Sequence, residues 1–121
     1  MSLPTSDDQL LLLHNPRCSK SRATKALLEE RGASFEERLY LEVPLDAAEL
    51  GELAQRLGKP IAEFVRRGEG AFAEAGLSAA SSEAELVAAV AAHPILMERP
   101  ILVSSSRAMI GRPPESVLDL L

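Results

Sequence analysis

The sequence predicts an α/β domain with strands towards both ends of the chain and helices in the middle. A short apolar segment at residues 9–14 and an alternating segment at 34–41 flank a helical segment at 19–31, the pattern of a parallel strand–helix–strand unit. Residues 46–92 carry mainly helical periodicity, and the segment after Arg99 reads as two strands and a helix. The order βαβ, helices, ββα favours a layered sheet with a helical insertion.

The first part of the chain forms the strand–helix–strand unit. Four consecutive leucines, residues 10–13, indicate a short buried strand. The helix that follows covers 19–31, and Gly32 comes directly after it as a plausible C-cap. We expect the two strands to be parallel and joined by a right-handed crossover. Cys18 would then lie beyond the carboxyl end of the first strand, where α/β sheets place their sites.

The middle of the chain is predicted to be helical. Apolar residues recur at helical spacing over 46–57, and Gly58 ends this stretch. A proline favours the start of a second short helix over Ile61 to Arg67. A looser stretch follows, with one helical turn near 71–75. The last helix of this part covers 82–92 and begins at a capping box within Ser81–Glu85.

The end of the chain completes the sheet. Residues 101–104 and 108–111 are predicted to pair as two short strands, and a last helix covers 113–121. A βαβ start with a ββα finish fits a thioredoxin-like layered fold. We therefore expect a single thioredoxin-like domain over residues 1–121 with an all-helical insertion over about 46–92, because a chain of 121 residues builds one ordinary core.

The composition restricts partners and cofactors. A net charge of −5 argues against nucleic acid as a partner, and the longest apolar run is too short to span a membrane. Cys18 is the only cysteine, so an internal disulfide and a cysteine-rich metal site are excluded, and no bound cofactor is expected. A free thiol and an N-terminus without a basic signal-peptide region indicate a cytoplasmic protein.

Cys18 is the strongest candidate for a catalytic residue. It stands where a strand turns into a helix, so backbone N–H groups and the positive end of the helix dipole favour its thiolate, the reactive form. The segment from residue 9 to residue 28 has no acidic residue but four basic ones: Arg17, Lys20, Arg22 and Lys25. A cationic loop on an acidic protein indicates thiolate chemistry on an oxyanion.

Three blocks of the sequence resemble the glutaredoxin-dependent arsenate reductase family. They are His14–Arg22 (HNPRCSKSR), His93–Ile101 (HPILMERPI) and Ile110–Leu118 (IGRPPESVL). Two shorter segments, Leu39–Glu42 and Glu63–Arg67, are supporting matches. The blocks follow the family's order and spacing from about Leu11 to the C-terminus. The chain is most similar to the short, chromosomally encoded subgroup.

The resemblance implies the residues of a catalytic site. Cys18 would attack arsenate, and Arg66, Arg99 and Arg112 would hold the oxyanion and the covalent arseno-cysteine intermediate. His14 would help to keep the thiol ionised. The remaining loop residues would support the site, through backbone N–H groups more than side chains: Asn15, Ser19, Lys20 and Ser21.

Two details of this assignment depend on the structure. Arg67 follows Arg66 directly, so a shift of one residue in a short helix would exchange their roles. Pro100 is a candidate cis proline, because thioredoxin-like folds place one beside the active cysteine.

The resolving thiol must come from outside the chain, because the position three residues after Cys18 is Ser21. The resemblance implies glutathione as co-substrate and glutaredoxin as partner. Two alternatives of the same fold stay open: a glutathione-linked thiol–disulfide exchange protein and a redox-regulatory binding protein. A phosphatase-like arsenate reductase is excluded, since it needs an arginine where this chain has Thr24.

Overall fold

The computed structural model describes residues 2–121, which form a four-stranded mixed sheet. The strands are β1 (Leu11–His14), β2 (Glu36–Leu39), β3 (Ile101–Val103) and β4 (Ala108–Ile110), in the spatial order β2–β1–β3–β4. β1 and β2 are parallel, whereas β3 is antiparallel to both β1 and β4. The predicted βαβ unit and the closing strand pair are confirmed, with strands slightly shorter than expected.

Residues 2–121 also contain four α-helices: α1 (Ser19–Glu30), α2 (Ala47–Leu57), α3 (Gly70–Glu74) and α4 (Glu83–Ala92). Capping boxes begin α2 and α4, the second at the position that the sequence predicts. Each box satisfies N–H groups that the first helical turn leaves without a partner. None of the helices in this part of the chain is long and apolar enough to cross a membrane.

The predicted helix over Ile61–Arg67 is wrong beyond its first turn. Its first three residues form a 3-10 turn, and Val65 then pairs with Met97 in an isolated antiparallel bridge. The backbone N–H of Arg66 donates to the carbonyl of Leu96 over 2.6 Å. A helix of seven residues has little intrinsic stability, so burial of this segment against its partner decides its extended conformation.

The sheet separates two hydrophobic clusters. Side chains alternate along β1, so Leu11 and Leu13 join the larger cluster and Leu12 joins the smaller one. The smaller cluster includes Leu28 of α1 and Val117 of a C-terminal 3-10 helix, Pro114–Leu120. The run of leucines is thus buried on both faces of the sheet, which explains why it shows no polar alternation.

The register of the sheet brings several chain segments to one edge. His14 pairs with Leu39, and Leu13 pairs with Ile101, which in turn pairs with Ile110. The carboxyl ends of β1, β2 and β4 therefore meet the start of β3. The residues adjoining these ends are 15–18, 40, 99–100 and 111–112.

Gly111 is tightly packed at this edge. The Arg99–Pro100 peptide bond is cis, as predicted, and so is Arg112–Pro113. The N–H of Gly111 donates to the carbonyl of Pro100 over 2.8 Å. A Cβ at Gly111 would lie 2.7 Å from Oγ1 of Thr24 and 2.8 Å from Cγ of Pro100, so only glycine fits there without a shift of its neighbours.

A buried ion pair fixes the loop that follows β2. Arg38 is only 3% exposed, and its guanidinium contacts Glu49 over 2.6 and 3.0 Å. The same guanidinium donates to the carbonyls of Val43 and Pro44. Since Glu49 also belongs to the capping box of α2, this pair ties β2, the loop and α2 together.

Candidate active site

Cys18 is the N-cap residue of α1 and has an extended backbone, with φ −95° and ψ 125°. Its N–H donates to the carbonyl of Asn15 over 3.0 Å, which closes the loop after β1. The partly buried sulfur faces the backbone N–H groups of Ser21 and Lys20 and the guanidinium of Arg99.

The environment of Cys18 favours its thiolate. Burial by itself disfavours the charged form, but the N–H of Ser21, the Arg99 side chain and the N–H of Lys20 outweigh it. The pKa of Cys18 is therefore lowered from its ordinary value. A larger fraction of the thiol is ionised at neutral pH than in a free cysteine, as the loop's position predicts.

Arg99 lies just before β3 and is directed at Cys18. Its Nε and Nη1 atoms are buried and have no hydrogen-bond partner among residues 2–121. Buried donors are normally paired, because desolvation without a partner is costly. Two unpaired guanidinium donors beside a cysteine of lowered pKa are suited to bind an anionic ligand.

Arg112 follows β4 and contacts the sulfur. Its Nη2 lies 3.8 Å from Sγ of Cys18, a long contact. Its Nε donates to the carbonyl of Arg99 over 2.8 Å and is 2.9 Å from Oε1 of Glu98. The carboxylate of Glu98 and the Arg99 carbonyl thus hold this guanidinium in place.

The structure distinguishes Arg66 from Arg67. The side chain of Arg66 is 25% exposed, lies 3.5 Å from the carboxylate of Glu69, and has a buried Nη1 without a partner among residues 2–121. Arg67 is exposed and stacks on the ring of Phe72, 5.7 Å from its centroid. Arg66 is therefore the better candidate for the third arginine.

His14 does not touch Cys18 directly. Its Nδ1 is 2.7 Å from Oγ of Ser21, a hydroxyl that also accepts the N–H of Asn15 over 3.0 Å. Burial is the main cause that lowers the pKa of His14. Glu37 opposes this shift, whereas Lys25 and Arg22 add to it. This hydrogen bond between His14 and the Ser21 hydroxyl holds in place the residue whose N–H faces the sulfur.

The other predicted loop residues divide into two groups. Asn15 is buried, and its Oδ1 accepts the N–H of Arg17 over 3.0 Å, a turn typical of asparagine. The side chains of Ser19 and Lys20 are exposed. At Lys20 the backbone N–H, and not the side chain, faces Cys18.

Sequence reasoning missed two residues of the site. Glu98 stands inside a block that matches the resembled family, and its carboxylate binds Arg112. Tyr40, the only tyrosine, follows an alternating strand and reads as an ordinary core residue, yet its phenol oxygen is buried and unpaired near the site. Two signals were available: the supporting match over Leu39–Glu42 and the position of Tyr40 one residue past β2.

These features define a class of protein. The mixed sheet with flanking helices places a cysteine of lowered pKa at a helix N-terminus, with the guanidinium groups of Arg99 and Arg112 beside its sulfur. Such a site can bind an oxyanion and attack its central atom with sulfur. This is a thioredoxin-like protein whose single cysteine lies at the start of a helix.

The chain belongs to the ArsC family, whose model matches residues 13–120. Over 115 residues it is 40% identical to a Neisseria meningitidis protein named arsenate reductase, covering 93% of this chain and 98% of that one. It is 49% identical to the uncharacterized protein YfgD of Escherichia coli, covering 93% and 97% of the two chains.

A solved structure gives the same result for the fold. An arsenate reductase from Vibrio cholerae superposes on this chain with a TM-score of 0.88 at 40% sequence identity, covering all of both chains. The predicted thioredoxin-like fold is therefore confirmed.

Proposed function

We propose that this protein is an arsenate reductase that uses Cys18 as its nucleophile. The observation that carries the proposal is the grouping of a thiolate-type Cys18 with unpaired guanidinium donors of Arg99 and with Arg112, whose Nη2 is 3.8 Å from the sulfur. Relatives at 40% identity that are named arsenate reductase support arsenate as the oxyanion.

In the first step the sulfur of Cys18 attacks arsenic. A sulfur–arsenic bond forms, an arsenic–oxygen bond breaks, and the oxygen leaves as water after taking up protons. Arg66, Arg99 and Arg112 neutralise the oxyanion, so that one anion can approach another in a partly dehydrated site. Glu98 and Glu69 hold two of these arginines, whereas Arg99 keeps free donors for the substrate.

In the second step an external thiol resolves the adduct. The sulfur of glutathione attacks the sulfur of Cys18, a mixed disulfide forms, and the electron pair of the broken sulfur–arsenic bond stays on arsenic. Arsenic is reduced by two electrons to arsenite while the two thiols are oxidised. Glutaredoxin then reduces the mixed disulfide. Because Cys18 is the only cysteine, the chain itself supplies no resolving thiol, and we place the reaction in the reducing cytoplasm.

Intact-mass measurement tests this sequence of steps. The protein is treated with arsenate and glutathione without glutaredoxin, beside a Cys18→Ser control. We expect one glutathione on the wild-type protein, formed only when arsenate is present and removed by glutaredoxin, and none on the variant. Arsenite is quantified in the same samples.

Other results would contradict the proposal. Equal adduct formation without arsenate would indicate thiol–disulfide exchange of a general kind. A Cys18 that stays free under all conditions would favour a regulatory binding protein and refute the reductase.

A further inference from the structure

Tyr40 carries a buried hydroxyl for which the proposed arginine site gives no account. Its side chain has no solvent exposure, and its phenol oxygen has no hydrogen-bond partner among residues 2–121. Buried tyrosine hydroxyls usually find a partner. A buried hydroxyl that stays unpaired indicates a role that a phenylalanine would not serve.

The sheet register places Tyr40 at the substrate end of the molecule. Leu39 at the end of β2 pairs with His14 at the end of β1, so Tyr40 stands beside Asn15, at the start of the Cys18 loop. The ion pair of Arg38 with Glu49 fixes the loop on the other side of Tyr40.

The neighbours of the phenol are the groups of the oxyanion site. Arg99, Cys18, Asn15 and Arg66 all lie close enough to influence its ionisation. Two of them, Arg99 and Arg66, have buried donors that are also unpaired in the described part of the chain. Three different side chains therefore present unpaired donor groups to one region.

The phenol of Tyr40 keeps its proton and can donate a hydrogen bond. Burial, the largest effect, raises the pKa of Tyr40 to about 12, so the group is neutral at physiological pH. The Asn15 carbonyl oxygen Oδ1 is occupied by the N–H of Arg17, which leaves the amide N–H₂ of Asn15 to face Tyr40. The phenol hydrogen then stays free.

We infer that Tyr40 is a fourth oxyanion contact, whose hydroxyl donates a hydrogen bond to an oxygen of the substrate bound between Cys18, Arg66 and Arg99. The inference rests on the proposed function for the identity of the substrate, arsenate. A neutral donor adds a hydrogen bond to the oxyanion without adding to the positive charge that the arginines already supply.

Tyr40→Phe isolates the hydroxyl, because the ring and its packing stay. Protection of Cys18 from iodoacetamide by arsenate measures binding without turnover, and arsenite formation with glutathione and glutaredoxin measures catalysis. We expect about 10- to 100-fold weaker protection and a similar loss of kcat/KM, the effect of one hydrogen bond to a charged group. Ser105→Ala, which removes a surface hydroxyl paired with Asp7, should leave both unchanged.

Thermal unfolding separates this role from a structural one. The Tyr40 hydroxyl donates to no acceptor among residues 2–121, so Tyr40→Phe should unfold at about the same temperature as the wild type or higher. A destabilised variant with unchanged arsenate protection would overturn the inference, as would a stable variant with unchanged protection.

The result also distinguishes this inference from the proposed function. If arsenate protects Cys18 but no arsenite forms, the proposed reductase activity is refuted. The difference in arsenate protection between the wild type and Tyr40→Phe would still test the inference. A wild-type protein that arsenate does not protect would refute both.

Discussion

Substitution of Gly111 by alanine should reveal how tightly the arginine edge is packed. The added Cβ would lie 2.7 Å from Oγ1 of Thr24 and 2.8 Å from Cγ of Pro100, distances at which neighbouring atoms must move. Overpacking of this kind costs about 1–3 kcal/mol. For a domain of this size that corresponds to a fall in Tm of about 4–12 °C.

A matched control exists in the same chain. Gly51 lies inside α2, and a Cβ there meets nothing within 4 Å. Since alanine has the higher helix propensity, Gly51→Ala should stabilise the protein by about 0.5–1 kcal/mol. Substitution of glycine by alanine is thus expected to destabilise the protein at position 111 and to stabilise it at position 51.

Thermal and urea unfolding of both variants measure the difference. Gly111 also precedes Arg112, so Gly111→Ala should slow the alkylation of Cys18 by iodoacetamide, whereas Gly51→Ala should not. Equal stability of the two variants would refute the packing argument. Thr24→Ala in the Gly111→Ala background should recover part of the loss, because the contact with Pro100 remains.

Three further predictions test the charges. The pH midpoint for alkylation of Cys18 should fall below about 8.5 and rise when sulfate binds, because the bound anion opposes the thiolate; an unshifted midpoint contradicts this. Arg99→Ala should reduce arsenate reduction about 100-fold, whereas Arg107→Ala, on the turn before β4, should change it little. Arg38→Met should cost about 3 kcal/mol in urea unfolding. The Arg38 side chain is the main cause of the lowered pKa of Glu49 in the folded protein. The stabilisation that this ion pair provides is therefore fully present above the carboxyl pKa of the unfolded chain. It is lost as the pH falls through the lower carboxyl pKa of the folded protein. The variant should therefore lose less stability on acidification than the wild type.

Local sequence signals were sufficient for most of the fold. The capping box of Ser82 with Glu85 and the positive φ at Gly58 (69°) and Gly32 (70°) agree with the helix ends that the sequence indicates. These signals are local, since each depends on a few neighbouring residues. The prediction of a helix around Arg66 was wrong because the conformation of this segment depends on an isolated bridge between Val65 and Met97, which are far apart in sequence.

The candidate site shows the same difference between features that depend on neighbouring residues and features that depend on distant ones. Cys18 could be found from one loop, because its donors belong to the following helical turn. The roles of Tyr40 and Glu98 could not be read from the sequence, because an unpaired buried hydroxyl and a contact between Glu98 and Arg112 are properties of the packed structure. Proximity across the sheet, and not residue type, identifies both.

The arrangement of the site at one edge of the sheet has a thermodynamic consequence. Cys18 and Arg112 are 94 positions apart in sequence, so a ligand held by both binds only a chain whose sheet is complete. Mass action then couples occupancy to the whole folding equilibrium, by about 2.7 kcal/mol when the ligand is present at 100 times its Kd. Titration of arsenate or sulfate should raise the Tm continuously, and amide hydrogen exchange that requires global unfolding should slow in all four strands together.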